Sequence, residues 1–101
     1  MIDDDVSWLA REVKDLLDVS SVGLYEFIWL LRARRPGMPV DESRIIAEAA
    51  LQRLLSDGVG RLVLLTWPSD EPGGSASFSA LRPADWDDPQ RGIRYVALTP
   101  T

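Results

Sequence analysis

The chain has 101 residues, of which 46% are hydrophobic and 27% charged, with a formal net charge of −5; this is the composition of one globular domain, not of a disordered segment. It contains neither cysteine nor histidine, which excludes disulfides, thiolate nucleophiles and Cys/His metal sites and removes the commonest general base. The acidic balance argues against ordinary duplex binding, because nucleic-acid binders draw most of their non-specific affinity from a basic surface.

Met1-Ile2-Asp3-Asp4-Asp5 offers no basic n-region followed by an apolar core, so no signal peptide is expected. No apolar stretch reaches the roughly 20 residues of a membrane span. A cytoplasmic protein is the expectation, and no cofactor or metal is implied.

The first helix is predicted at about 7–18. Val6, Leu9, Ala10, Val13, Leu16 and Leu17 fall in one stripe at the helical period. Asp3, Asp4 and Asp5 stand where the helix dipole favours negative charge, which reads as a solvated helix start. Ser20 and Ser21 are candidate caps for a second helix at about 22–33. Val22, Leu24, Tyr25, Phe27, Ile28, Trp29, Leu30 and Leu31 surround its axis, so it should be buried on most sides, or meet a partner chain on one of them.

The connection from Arg32 to Pro39 holds the densest basic cluster. Arg32, Arg34 and Arg35 suit the C-terminal end of the second helix through its dipole; contact with phosphates is the alternative. A third helix is predicted at about 41–57, with Asp41 as N-cap, Val40 packing on Ile45 as a hydrophobic staple and Gly58 as its stop. Ile46, Ala47, Ala50, Leu51, Leu54 and Leu55 form its inner face. Glu42, Arg44, Glu48, Gln52 and Arg53 form its outer face.

Strands are predicted at about 61–67 and 93–99. The first is apolar almost throughout, so both faces should be covered; in the second, Tyr95 lies on one face and Val96 and Leu98 on the other. The long loop 68–92 between them carries Phe78-Ser79-Ala80-Leu81 and Ala84-Asp85-Trp86, apolar enough to fold back on the core as a helical turn.

No constellation of catalytic residues stands out. Asp85, Asp87 and Asp88 lack the glycine and glutamate of a calcium loop, and Gly58-Val59-Gly60 lacks the Lys-Ser/Thr of a phosphate loop. No serine has a base to activate it, because Lys14 is the only lysine and stands alone on the first helix. Trp8, Trp29, Trp67 and Trp86 suit core or interface positions better than a ligand cage.

Helix, helix, helix, strand, long loop, strand is an α+β order that resembles a winged-helix domain: three helices followed by a two-stranded antiparallel hairpin with a long wing loop. Val22-Gly23-Leu24-Tyr25-Glu26-Phe27, the passage Leu54-Leu55-Ser56-Asp57-Gly58-Val59-Gly60-Arg61-Leu62, and the stretch from Trp86-Asp87-Asp88-Pro89 to Tyr95-Val96-Ala97-Leu98-Thr99 look like small bacterial winged-helix-like proteins. Some of these are similar to immunity or antitoxin-type proteins that neutralise a toxin. The chain departs from a DNA-reading winged helix in having little room for a separate short helix before the third.

The resemblance implies a non-enzymatic protein-binding domain acting on a basic partner, with no catalytic residues. In such a domain Glu42, Glu48 and Gln52 on the third helix and Asp70, Glu71, Asp87 and Asp88 in the loop would meet the partner. The alternative is a DNA-binding transcriptional regulator, with Arg44 and Arg53 reading the groove and Arg32, Arg34 and Arg35 on phosphates. The third helix nets −2 with Asp41 and Asp57 counted, which disfavours that alternative. A homodimer through the second helix or Trp86 is compatible with either.

Overall fold

Along α1 (Ile2–Leu17) the apolar stripe turns inward: Val6, Leu9, Ala10, Val13 and Leu17 are buried, whereas Leu16 is largely exposed. This computed structural model describes residues 2–66, 72–89 and 94–101. The aspartates at the helix start divide in role. Asp4 faces solvent, but Asp5 is only 2% exposed, so a solvated acidic run is not what α1 begins with.

The chain then stays extended over Val22–Gly23, forming β1, before α2 (Leu24–Arg34) begins. A helix starting at Val22 is therefore corrected by two residues. Val22 and Gly23 pair with Leu98 and Ala97 of β4 (Arg94–Pro100), and this sheet pairing, which no local signal announces, outweighs the helical continuation. Ser20 and Ser21 do not cap α2. Ser21 Oγ donates instead to Thr99 Oγ1 at 2.9 Å, and the Glu26 carboxylate accepts the Gly23 N–H at 2.6 Å, satisfying a first-turn donor from inside the helix. Leu24, Tyr25, Phe27, Ile28 and Leu31 are buried, whereas Trp29 is a large apolar residue of this helix left exposed at 46%.

Helix α3 runs from Val40 to Ser56 with Pro39 at its N-cap. Asp41 is thus a first-turn residue and not the cap. The staple expected with that cap is absent as well, since Val40 and Ile45 are 60% and 59% exposed. Ser43, which is buried, donates its hydroxyl to the Pro39 carbonyl at 3.1 Å. The inner face is as its periodicity implies: Ile46, Ala47, Ala50, Leu51 and Leu54 are buried and Leu55 packs beside them. At the far end Gly58 adopts φ +71°. Its N–H reaches the Leu55 carbonyl and that of Val59 reaches Leu54, the paired closure that favours glycine one residue past the cap.

Among the described residues four strands, not two, make the sheet. The order is β1-β4-β2-β3, all antiparallel, with β2 at Gly60–Thr66 and β3 at Pro72–Ser75. The long β2–β4 register runs from Gly60 opposite Pro100 to Thr66 opposite Arg94. Alternation puts Leu62, Val96 and Leu98, with Leu64 beside them, against the helices; Val63, Leu65 and Ala97 form a smaller buried cluster with Tyr95 on the other face.

The 68–92 excursion is correspondingly structured where it is described. It contributes β3 and two single turns of 3-10 helix, Phe78–Ala80 and Pro83–Trp86. Trp86 anchors it: the indole is 3% exposed and meets Phe27 edge to face with ring centroids 5.8 Å apart. Among the described residues no helix is long and apolar enough to cross a membrane.

Candidate functional site

A cleft of about 350 Å³ opens where α2, the start of α3 and the segment after Pro83 converge, lined by Ile28, Arg32, Val40, Arg44, Trp86, Asp87 and Asp88. Helical spacing explains two of its walls. Ile28 and Arg32 are four residues apart on α2, as are Val40 and Arg44 on α3, so each pair projects from one face of its helix. The third wall is set by the 3-10 turn at Pro83–Trp86. Proline begins it, and the Asp85 carboxylate accepts the Arg82 N–H at 2.7 Å. That turn drives Trp86 into the core, and the chain leaves it extended at Asp87.

The charges of the cleft are unequally committed. Arg44 donates to Asp41 at 2.8 Å across one helical turn, a surface pair worth no more than about 1 kcal/mol. Asp88 accepts the Trp29 Nε1–H at 2.7 Å, which ties the loop to α2 from outside. Arg32 and Asp87 make no side-chain hydrogen bond or ion pair among the described residues. Trp86 Nε1 is buried and has no acceptor among them either; an unpaired buried donor costs about 1–3 kcal/mol. The lining holds no hydroxyl, amine or imidazole, so what it provides is ion pairing and apolar contact.

The residues expected to meet a partner are dispersed. Asp87 and Asp88 lie in this cleft. Glu42 is half-buried in the first turn of α3. Glu48 borders a separate depression of about 250 Å³ with Phe78, Ser79 and Leu81, and Gln52 is exposed one turn beyond it. Asp70 and Glu71 lie outside the described residues.

The arginines assigned to DNA do not form one surface. Arg34 and Arg35 both grip the Asp5 carboxylate, Arg34 at 3.2 Å, and the Arg34 guanidinium lies 4.6 Å from the centre of the Trp8 ring. They complete a buried charge on α1 rather than an open phosphate site or a free helix end. Burial raises the Asp5 carboxyl, but the hydrogen bonds from Arg35 and Arg34 more than offset this and hold it below the ordinary 3.8. Arg53 donates to Ser7 Oγ at 2.9 Å. Only Arg32 and Arg44 share a site, and they share it with Asp87 and Asp88.

Sequence periodicity could have paired Ile28 with Arg32 and Val40 with Arg44. Nothing in it links either pair to residues 86–88, more than 40 positions away. No family model, curated protein or solved structure matches this chain.

Proposed function

We propose that the chain is a non-enzymatic, winged-helix-like protein-binding domain of the immunity or antitoxin type, which docks on a basic protein through the outer face of α3. The observation that carries the reading is the character of that face. It presents Asp41, Glu42, Glu48 and Gln52 around Ile45, which is exposed although large and apolar, while the two arginines of the helix are held by Asp41 and Ser7 of the same chain. An apolar centre rimmed by one sign of charge suits a partner of opposite sign, and the net charge of −5 would steer its approach. Asp87 and Asp88 lie beside the first turn of the helix, in the cleft with Val40 and Arg44.

The winged-helix comparison rests on the order α1, β1, α2, α3, β2, β4 and on the closure of β1 against β4. It departs from a simple wing in the extra edge strand β3 and in the return of Trp86 to the core. DNA reading is the weaker alternative, since Arg34, Arg35, Arg44 and Arg53 all have partners within the chain. A second copy could not use Trp86, which is buried; Trp29 is a large apolar residue of α2 open to one.

The test compares tagged wild type with Glu42→Lys/Glu48→Lys, each recovered from its native host with protein and nucleic acid quantified in the same eluate. A basic protein recovered in stoichiometric amount by the wild type and lost with the double variant is expected. A captured protein retained equally by both would sink the assignment to α3. Duplex DNA released by moderate salt and lost on Arg44→Ala would put the regulator in its place.

A further inference from the structure

Asp41, Ile45, Ala49 and Arg53 follow one another at four-residue spacing along α3. All four are exposed, Ile45 at 59% although it is large and apolar. Residues four apart are neighbours on a helix surface, so these form one continuous row, about 18 Å long at 1.5 Å per residue. The order along it is acid, large apolar, small apolar, base.

That order is complementary to its own reverse. Laid antiparallel on a second copy, about a two-fold axis between Ile45 and Ala49, the row sets Asp41 against the second copy's Arg53 and Ile45 against the second copy's Ala49. Both pairs recur on the other side of the axis, as an isologous contact requires. A large side chain facing alanine lets the backbones approach. Rows at four-residue spacing come into line when two helices cross at about −50°, the commonest angle in globular proteins.

The charges at the two ends of the row have capacity to spare. The Asp41 side chain is 89% exposed and gives one carboxylate oxygen to Arg44. Arg53 uses Nη1 for the Ser7 hydroxyl, which leaves the remainder of its five-donor fork. Trp29 on α2 is more fully committed, meeting Tyr25 edge to face and donating its indole N–H to Asp88.

We propose that the chain forms a two-fold homodimer through antiparallel α3 helices, with Asp41–Arg53 pairs at both ends and Ile45 on Ala49 at the centre. A single helix pair buries less than a standard interface, and a net charge of −5 on each copy opposes the contact, so the dimer is weak, with a Kd of about 100 µM. The dimer does not rest on the docking of a basic protein. Where both occur they use the same face, and the partner must displace the second copy.

Sedimentation equilibrium of the purified chain alone, from about 10 µM to 1 mM, measures the association. Asp41→Arg and Arg53→Asp each bring like charges together twice across the axis and should weaken the dimer at least about tenfold. Asp41→Arg/Arg53→Asp exchanges the signs and should restore it to within about threefold of wild type. Ile45→Ala, which leaves both charges in place, should also weaken it about tenfold and keeps the test if a charge reversal disturbs the fold. Val19→Ser, at a residue 85% exposed outside α3, should leave it unchanged. A chain still monomeric at the highest concentration overturns the proposal. So does a dimer indifferent to Ile45→Ala and to both single reversals, or one that the double reversal fails to restore, because its interface would then lie elsewhere.

Discussion

The most consequential single charge is Asp5. A carboxylate 2% exposed on α1 is held by two arginines from the end of α2, whose own side chains remain 35% and 46% exposed. This asymmetry predicts unequal costs. Asp5→Asn frees two arginines that water can solvate, and should lower stability by about 1 kcal/mol. Arg34→Ala/Arg35→Ala strands a buried charge and should cost about 3 kcal/mol or more. Urea unfolding of both variants at neutral pH checks the order; equal losses would mean that Asp5 is not the buried partner. The same carboxyl gives a pH signature. Its folded-state pKa lies below the ordinary 3.8, so the unfolded chain takes up the proton first as acid is added. The contribution is complete above about pH 4 and disappears as pH falls through the depressed folded value. Wild type should therefore lose stability more steeply than Asp5→Asn below about pH 4, and parallel acid melts would contradict this.

Two glycines flanking Val59 do different work at the scale of the elements. Gly58 stands at φ +71° with open space where a Cβ would lie, so its requirement is conformational. Gly58→Ala should cost about 1 kcal/mol, and Gly58→Asn should cost less because asparagine tolerates the left-handed region. At Gly60 the limit is space. A Cβ there would come within 2.8 Å of Leu98 Cγ and 3.0 Å of the Thr99 carbonyl oxygen, and Leu98 is fully buried and cannot swing aside. Gly60→Ala should cost about 1–3 kcal/mol through the β2–β4 pairing, with no relief from asparagine. Thermal unfolding of the four variants separates these two causes. The helix stop at Gly58 was readable from composition and position, as were the inner faces of α1 and α3, because each depends on residues within one or two turns. The N-terminal boundaries of α2 and α3 were not. β1 takes Val22 and Gly23 only because β4, some 75 residues later, lies beside them, and Pro39 serves as N-cap in place of the better hydrogen-bonding Asp41.

Across the whole molecule, charge and fold divide the candidate surfaces. If α3 meets a basic protein, affinity should fall as ionic strength rises, and Glu42→Lys/Glu48→Lys should slow association more than it hastens dissociation, since rim charges act mainly on encounter. Association kinetics against salt, with the partner recovered from the host, measure this; a rate insensitive to both would remove steering from the account. Sequence by itself determined the α+β class, the three helical stretches, the main β2 and β4 strands and the inward return of the segment before Asp87, because hydrophobic period and turn chemistry are local properties. It also located every charged residue without deciding which would be committed. Tertiary structure alone sent Arg34 and Arg35 to Asp5, tied Asp88 to Trp29, added β1 and β3 to the sheet, and brought Arg32 and Asp87 to one cleft unpaired. Each of these depends on contacts between segments far apart in the chain, where the geometry that decides which charges meet is set by packing and has no counterpart in residue spacing.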